Sequence, residues 1–239
     1  MSLIEVRSLE KSYGDGGETS TLALKGISLD VSEGEFVAIM GPSGSGKSTL
    51  LHILGFLDRH TKGSYKFNGK TIDEFTDEEM ARVRNREMGF VFQAFNLLPR
   101  VSVLENVKLP LMYSGIPEKQ WNKLASDAIE SVGLSHRLNH LASQLSGGEK
   151  QRAAIARALV MNPKVIFADE PTGNLDSKSG QIVMKIIRDL NEVHKHTIVL
   201  ITHETYTAEH AKVIIRLKDG EIESNKKVVD RHKSDEYSK

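Results

Sequence analysis

The chain has 239 residues, enough for one large α/β domain or two small ones with a substantial buried core. Basic and acidic side chains number 32 each, so the formal net charge is zero and gives no bulk attraction for nucleic acid or for an anionic membrane surface. Cysteine is absent, which excludes disulfides and thiolate metal sites and fits a reducing compartment.

Short strands are predicted in the first third of the chain. Apolar and polar residues alternate over residues 4–9 and 27–31, and residues 36–40 form the continuous apolar run of a strand buried on both faces. A glycine-rich loop follows at once, and residues 48–54 then take up helical spacing. Strand, loop and helix in this order are the setting that a phosphate-binding loop requires.

In the middle of the chain the sequence pattern changes from predicted strands to predicted helices. Residues 63–72 predict a small antiparallel hairpin with Asn68-Gly69 at its turn, and residues 88–92 predict another strand. From residue 93 onward prolines punctuate helical stretches, of which residues 120–132 and 148–160 are the clearest. We interpret this part of the chain as a mostly helical insertion.

Strands return in the last third, around an amphipathic helix over residues 179–195. The predicted strands are residues 165–168, 197–202, 213–217 and 221–223, the last two forming a hairpin. After residue 224 the chain is charged and low in apolar residues, which predicts a flexible tail. We find no internal repeat, so a single domain is expected.

The glycine-rich loop has the pattern Gly-x-x-x-x-Gly-Lys-Ser over residues 41–48. Glycines let backbone N–H groups converge on phosphate oxygens, and the N-terminus of the following helix adds the positive end of its dipole. Lys47 is placed to meet the β- and γ-phosphates of a nucleotide, and the Ser48 hydroxyl is placed to ligate Mg²⁺. The alternative, an ordinary glycine turn, is disfavoured by the strand before the loop and the helix after it.

Polar side chains follow three of the predicted strands. Asp169 and Glu170 end one of them, where Asp169 can hold Mg²⁺ and Glu170 can polarise the water that attacks a γ-phosphate. Gln93 could ligate Mg²⁺ or orient water, and His203 could hydrogen-bond a γ-phosphate. Paired with the phosphate loop, the two carboxylates favour catalysis over an acidic turn, whereas spacing alone favours ordinary loop or surface residues for Gln93 and His203.

Residues 145–152 read Leu-Ser-Gly-Gly-Glu-Lys-Gln-Arg and open a long predicted helix. Ser146 is placed to cap this helix, while Gly147 and Gly148 leave its first N–H groups open to an anion. In isolation the segment is a well-capped helix.

These motifs have the order and spacing of one superfamily. They are the phosphate loop (Walker A, 41–48), the ABC signature (145–152), Walker B (165–170), the D-loop (174–176) and the switch histidine, His203. Over residues 2–223 the chain resembles the ATP-hydrolysing subunit of ABC (ATP-binding cassette) transporters. Glu149 stands where glutamine is common in the signature, a variation that the family accepts.

The resemblance implies a fold and a division of the chain. The fold class is α/β, a P-loop NTPase (RecA-like) core with a small antiparallel β subdomain and an inserted α-helical subdomain. A single ABC ATPase domain then spans residues 1–223. The core and β subdomain occupy about 1–92 and 160–223, the helical subdomain about 93–159, and the tail 224–239.

The resemblance also implies ATP and Mg²⁺ as cofactors. Gln93 becomes the Q-loop glutamine, His203 the γ-phosphate sensor, and Tyr13 the residue stacked on adenine, although a lone tyrosine at a strand end is commonly a packing residue. Catalysis is assigned to Glu170, His203 and Lys47, and Mg²⁺ to Ser48, Gln93 and Asp169. Nucleotide contacts are assigned to Tyr13, Gly41, Pro42, Ser43, Gly44, Ser45, Gly46, Lys47, Ser48, Thr49, Gln93, Ser146, Gly147, Gly148 and His203.

Two protein partners are implied. One is a second copy in a head-to-tail dimer, in which the helix end at Ser146 of one chain faces the γ-phosphate held by the other. The second is a transmembrane permease docked near Gln93, because no apolar run here approaches the ~20 residues of a membrane helix and no signal pattern precedes the first strand. We expect a peripheral subunit on the cytoplasmic face of the inner or plasma membrane, without a nucleic-acid partner.

Residues 89–99, 103–112 and 171–176 resemble the branch of macrolide exporters, lipoprotein-release ATPases and related export cassettes. A cell-division ABC ATPase, which regulates a membrane partner without moving a solute, has a nearly identical cassette and stays open as the alternative. Soluble DNA-repair or translation ABC ATPases carry coiled-coil insertions or tandem cassettes that this sequence lacks. A small-molecule P-loop kinase has no use for residues 145–148.

Overall fold

The computed structural model describes residues 2–14 and 21–228. They form two compact units, the first built from segments within residues 1–81 and 197–233, and the second from residues 82–196. Within the described residues, no helix is both long enough and apolar enough to span a bilayer.

The described residues contain both strands and helices throughout. The strands are β1 (Ser2–Tyr13), β2 (Thr21–Ser32), β3 (Phe36–Met40), β4 (Lys62–Phe67), β5 (Lys70–Thr71), β6 (Met88–Phe92), β7 (Val165–Asp169), β8 (Thr197–Thr202), β9 (Val213–Lys218) and β10 (Glu221–Lys227). The helices are α1 (Lys47–Leu54), α2 (Asp77–Glu87), α3 (Val103–Lys108), α4 (Trp121–Ser131), α5 (Gly147–Leu159), α6 (Ser177–Glu192) and α7 (Thr205–Ala208), with short 3₁₀ turns between some of them.

The first unit contains two groups of strands. One is an antiparallel sheet in the order β2-β1-β4-β5, and the other runs β10-β9-β3-β8. Strand β3 lies between β9 and β8, and both neighbours run parallel to it. All five residues of β3 are buried, which explains its continuous apolar sequence, because helices and sheets cover both faces of such a strand.

Helix α1 is anchored in the first unit by its apolar residues and by a cluster of aromatic rings beyond its end. The ring of Phe56 lies 5.6 Å from that of Tyr65 and 5.8 Å from that of Phe67, both on β4. The buried hydroxyl of Tyr65 donates to the carbonyl of Leu54, the last residue of the helix, at 2.7 Å. These contacts fix the axis of α1 and therefore the direction in which its N-terminus points.

The second unit combines the parallel pair β6–β7 with helices α3 to α6. Helix α5 packs against β6 very closely, since a Cβ on Gly89 of β6 would lie 2.7 Å from the carbonyl oxygen of Ala158. The buried face of α5 is rich in alanine, and small side chains permit this approach. Helix α6 buries the amphipathic face that the sequence predicts, including Val183, Ile187 and Leu190.

The α/β class with a small antiparallel sheet is confirmed, and each strand and helix named from the sequence is found. Among the described residues, three helices were not predicted, one of which is α7, with only 4 residues. Helix α2 buries only Met80, so it carries no apolar period, and α3 has only 6 residues. The hairpin strand β10 continues to Lys227, past the predicted start of the tail at residue 224, and residues 229–239 lie outside the described part of the chain. The proposed domain bounds, including 93–159 for the helical part, stay a prediction.

Candidate functional site

The phosphate loop connects β3 to α1 in the first unit. Gly46, the N-cap residue of α1, has φ 98°, and Gly44 has φ 79°, a region that side chains with a Cβ enter only with strain. No side chain caps the N-terminus of α1. The first N–H groups of any α-helix have no partner within the helix, and here no side chain replaces it. They therefore face outward with the positive end of the helix dipole.

The glycines of this loop also allow close packing beneath it. A Cβ on Gly41 would lie 2.2 Å from the carbonyl oxygen of Leu217, and one on Gly46 would lie 2.7 Å from that of Ala23. Ser45 is buried between them, and its hydroxyl oxygen makes no hydrogen bond. The loop is thus pressed onto the neighbouring strands, which leaves Pro42, Ser43 and Gly44 exposed at its tip.

Lys47 lies over the loop that precedes it. Its Nζ donates to the carbonyl oxygens of Gly41 at 2.7 Å and Pro42 at 2.8 Å. The ammonium group is therefore held at the mouth of the loop, beside the uncapped helix end. Ser48 and Thr49 follow on the first turn of α1, with Ser48 exposed.

His203 lies at the same edge of the first unit as the phosphate loop. Strands β3 and β8 are parallel neighbours, and Met40 pairs with Thr202 at their carboxyl ends. The loop begins one residue after Met40, and His203 comes one residue after Thr202. The parallel register thus brings together two predicted site elements that are far apart in sequence, and the imidazole is exposed.

Tyr13, at the end of β1, is 43% exposed. Its hydroxyl donates to Asp58 Oδ2 at 3.0 Å, and the ammonium of Lys11 lies 4.8 Å from its ring centroid. Partial burial acts to raise the pKa of Asp58, but hydrogen bonds from Lys11, the Arg59 N–H and Tyr13 outweigh it and lower the pKa. The hydroxyl is thus engaged in the protein while part of the ring faces solvent, a geometry open to stacking.

In the second unit, Asp169 is the last residue of β7 and Glu170 follows it. Glu170 has φ 45°, in the left-handed region that a non-glycine residue occupies only when its surroundings hold it there. The carbonyl oxygen of Glu170 accepts from the N–H of Gly173 at 3.1 Å, which closes a tight turn after the strand. At Glu170 the backbone therefore leaves the extended conformation of β7.

Gln93 lies at the same strand edge as these carboxylates. Strands β6 and β7 are parallel, and Phe92 pairs with Asp169, so Gln93 and Glu170 each come one residue later. The side chain of Gln93 donates to Asn174 Oδ1 at 3.2 Å, and the side chain of Asn174 donates back to the Gln93 carbonyl at 3.0 Å. This reciprocal pair fixes the loop after β6 to the D-loop segment.

Ser146 is the N-cap residue of α5 and forms a complete capping box with Glu149. Ser146 Oγ accepts from the Glu149 N–H at 3.3 Å, and Glu149 Oε2 accepts from the Ser146 N–H at 2.9 Å. A Cβ on Gly148 would lie 2.7 Å from the hydroxyl of Ser179, whereas one on Gly147 would have its first contact at 3.4 Å. Gly148 is therefore required for packing against α6, and Gly147 has room toward solvent.

Glu149 carries the charge at this helix end. Its pKa is lowered from 4.5 to about 2, chiefly by the Ser146 N–H and, against partial burial, by Arg137, whose Nε donates to Glu149 Oε1 at 2.8 Å. Both carboxylate oxygens are thus engaged, one by the Ser146 N–H and the other by Arg137.

The shift predicts a pH-dependent contribution to stability. A carboxylate with a lowered pKa stabilises the folded chain above its unfolded pKa of 4.5, and this contribution is lost as the pH falls from 4.5 through about 2. We expect Glu149→Gln to reduce the free energy of unfolding by about 1 kcal/mol at neutral pH, with the difference from wild type shrinking toward pH 3. Urea unfolding at several pH values measures this. Glu130→Gln, on the exposed face of α4, is the control, and a difference that grows toward acid would contradict the assignment.

Sequence reasoning missed Gln151, which lies fully buried on α5. Its Nε2 donates to the carbonyl oxygen of Pro171, directly after Glu170, at 2.7 Å. This bond connects the helix that begins at Ser146 to the turn that carries Glu170. An amide at a buried position of an alanine-rich helix is the signal that could have found it.

The oxygen donors predicted for Mg²⁺ fit such a cation chemically. Ser48 is exposed on α1, Gln93 is exposed after β6, and Asp169 is partly buried at the end of β7. Mg²⁺ accepts hydroxyl, amide and carboxylate oxygens, and it usually keeps waters and binds substrate phosphates as well. Over residues 2–14 and 21–228, no group of three or more His, Cys, Asp or Glu side chains could hold a metal. The donor set suits a cation that arrives with a polyphosphate.

Comparison with known proteins agrees with these motifs. A sequence profile described as "ABC transporter" matches residues 24–173. An uncharacterized ABC transporter ATP-binding protein of Thermotoga maritima is 51% identical over 221 residues, which cover 92% of this chain and 94% of that protein. A macrolide export ATP-binding/permease protein, MacB, of Bdellovibrio bacteriovorus is 49% identical over 226 residues, 95% of this chain. The match covers only 34% of MacB, so the chain spans about a third of that relative.

Solved structures share the fold. The dimeric structure of a post-hydrolysis state of the ATP-binding cassette MJ0796, bound to ADP and Pi, superposes with a TM-score of 0.86 at 43% identity. It covers 94% of this chain, and the chain covers 98% of it. The matched profile, the identities near one half and this shared fold place the chain in the ABC transporter family, as one of its ATP-binding, ATP-hydrolysing cassettes.

Proposed function

We propose that the chain binds Mg²⁺-ATP at the phosphate loop and hydrolyses it with Glu170 as the residue that activates water. The observation that carries this proposal is the uncapped N-terminus of α1, with the ammonium of Lys47 held at its mouth. Helices α5 and α6 use their own side chains, Ser146 and Asp176, as caps. The N-termini of α4 and α7 also lack a side-chain cap, and what distinguishes α1 as a site for an outside anion is the glycine-rich loop before it and the Lys47 ammonium beside it.

Each proposed residue has a role that its position supports. Bound Mg²⁺-ATP supplies the γ-phosphoryl group and the charge of the cation. Lys47 exchanges its bonds to loop carbonyls for phosphate oxygens, which are stronger acceptors. Glu170 accepts the proton of the attacking water, and His203, at the strand edge shared with the loop, donates a hydrogen bond to the γ-phosphate.

Local geometry supports several of the assigned contacts. The N–H groups from Gly44 to Thr49 surround the β- and γ-phosphates, and Ser48 and Asp169 contribute oxygen to Mg²⁺. Gln93 adds its side-chain oxygen, because its amide nitrogen is already used by Asn174. The exposed part of the Tyr13 ring takes the adenine.

The active form we propose is a head-to-tail dimer of this chain. The capping box of α5 leaves the N–H groups of Gly147 and Gly148 outside its own hydrogen bonds, so they can meet the γ-phosphate held by a second copy. The similar cassette MJ0796 is described as dimeric, which supports the proposal. Since ATP would be buried between both copies, loss of the γ-phosphate contacts loosens the dimer.

The motion of the dimer would drive a separate transmembrane permease. The loop that follows Gln93 presents Leu98 with 46% exposure, an apolar contact point near the proposed catalytic edge. MacB relatives carry an ATP-binding part and a permease in one protein, which supports an export partner for this chain and a peripheral place on the cytoplasmic face of the inner or plasma membrane. ATP-stimulated release of a macrolide, peptide or lipoprotein by the reconstituted complex supports transport. ATP-dependent activation of a partner without release supports the cell-division type.

Lys47→Ala tests the phosphate loop. Removing the ammonium deletes charge-assisted bonds to phosphate, so we expect ATP affinity to fall about 10- to 100-fold. Titration calorimetry with Mg²⁺-ATP measures this. Lys66→Ala, on the exposed side of β4, is the matched control and should bind normally. Unchanged affinity in Lys47→Ala would refute the assigned role.

A further inference from the structure

The loop after Gln93 holds an unusual backbone conformation. Phe95 has φ 60° and Asn96 has φ 51°, so two consecutive non-glycine residues lie in the left-handed region. A phenylalanine in this region is strained, and such strain persists only when surrounding contacts hold the backbone in place. The N–H of Asn96 donates to the Ala94 carbonyl at 2.6 Å, which closes the turn but leaves the carbonyls of Phe95 and Asn96 directed elsewhere.

Arg157, on α5, donates hydrogen bonds to both of these carbonyl oxygens. Its Nη2 donates to the Phe95 oxygen at 2.9 Å, and its Nη1 donates to the Asn96 oxygen. The planar guanidinium holds its N–H donors in a fixed fork that suits two adjacent acceptors, whereas a lysine offers a single ammonium nitrogen on a flexible stem. Burial lowers the pKa of Arg157, so these bonds replace water that the cation has lost. The turn is therefore fastened to the last turns of α5.

The other end of α5 is connected to the same loop by a second route. Gly148 is packed against Ser179, and Ser179 Oγ donates to Asp176 Oδ2 at 2.7 Å. Two residues earlier, Asn174 exchanges hydrogen bonds with Gln93. Gln93 is thus held from the D-loop side, and the turn that follows it is held by Arg157. Both attachments lead back to the helix that begins at Ser146.

We propose that Arg157 is a positioning residue, which clamps the turn at Phe95 and Asn96 so that Gln93 moves as one body with α5. This inference rests on the roles proposed above for Gln93 and for the N-terminus of α5. A displacement of that helix end by a nucleotide in the second copy then displaces Gln93, its oxygen for Mg²⁺ and the permease-facing loop together. Arg157 acts on the backbone of the turn and is not among the residues assigned to the nucleotide or to Mg²⁺.

Hydrogen exchange of the full-length chain tests the clamp without relying on activity. Arg157→Met keeps the apolar stem and removes both hydrogen bonds, so exchange at residues 94–96 should rise by about tenfold or more. The next residues supply an internal reference, because the buried Asn106 side chain binds the N–H of Leu98 at 2.7 Å and the Val101 carbonyl at 3.2 Å. Arg157→Lys should give an intermediate rise, and Lys123→Met, on exposed α4, none. Unchanged exchange at 94–96 in Arg157→Met and Arg157→Lys would overturn the proposal.

A double-mutant cycle tests whether Arg157 acts through Gln93. Gln93→Ala and Arg157→Lys should each lower kcat and raise the Mg²⁺ concentration for half-maximal ATPase, with ATP affinity near normal. If Arg157 acts only through Gln93, the double variant should be no slower than Gln93→Ala alone. Losses that multiply would show that Arg157 acts by another route. A Gln93→Ala variant with full activity would instead count against the proposed role of Gln93, which keeps the two failures distinct.

Discussion

Glu170→Gln should lower the rate of ATP hydrolysis by about 10²- to 10⁴-fold while ATP binding remains near normal. The amide has the shape of the carboxylate but cannot accept the proton of the attacking water. Since hydrolysis no longer removes the γ-phosphate, the ATP-bound chain should accumulate as a dimer. Phosphate release measures the first effect, and light scattering after gel filtration with Mg²⁺-ATP measures the second.

The backbone at Glu170 offers a second variant that separates chemistry from folding. Its φ of 45° is tolerated better by aspartate than by most residues, so Glu170→Asp should fold at least as well as wild type. The shorter side chain withdraws the carboxylate by one methylene, and a misplacement of this size can still cost about 10²-fold in rate. Glu130→Gln on α4 is the control for a lost surface charge. A Glu170→Gln variant that hydrolyses ATP normally, or stays monomeric with ATP bound, would contradict the mechanism.

Much of the local structure at the proposed nucleotide site could be predicted because it depends on residues that are close together in the sequence. The phosphate loop needs glycines at fixed offsets and a helix that starts after Gly46, and a short continuous segment of the sequence indicates both. The capping of α5 by Ser146 likewise depends on residues three positions apart. The ends of strands β3, β7 and β8 were predictable because buried parallel strands have continuous apolar sequences.

Other features depend on topology, which consecutive residues do not encode. Spacing alone favoured a loop residue at Gln93, and only the parallel register of β6 and β7 places it at the edge that carries Asp169. Gln151 and Arg157 bind backbone carbonyls 20 and 62 residues away, so no local pattern marks them. The left-handed backbone of Glu170 belongs to the turn after β7, and a glutamate side chain does not itself favour that conformation.

Gly147→Asp should abolish ATP-dependent dimerisation without weakening the fold. Position 147 is the first residue of α5, where a carboxylate interacts favourably with the helix dipole by about 0.3–1 kcal/mol. A Cβ there has its first contact at 3.4 Å, with the flexible end of Leu175, so the side chain fits. The same negative charge would oppose a γ-phosphate presented by a second copy. We therefore expect a thermal midpoint equal to or above that of wild type, normal ATP binding by the monomer, and loss of the ATP-bound dimer when combined with Glu170→Gln.

Gly147→Asn is the matched control, because it has the size of aspartate without its charge. It should retain most of the dimer, whereas equal failure of both variants would indicate that bulk, and not charge, disturbs the contact. Gly148 is unsuitable for this test, since its Cβ would clash with Ser179 and disturb the packing of α5 on α6.

Mixing two inactive variants separates a shared site from a self-contained one. In a head-to-tail dimer, one Lys47→Ala chain and one Gly147→Asp chain bring both defects into the same nucleotide site and leave the other site intact. Random pairing should then restore up to about a quarter of the wild-type ATPase rate. Half of the dimers are mixed, and in each mixed dimer one of the two nucleotide sites is intact. If each nucleotide were completed by a single chain, every site in the mixture would keep a defect, and mixing would restore nothing.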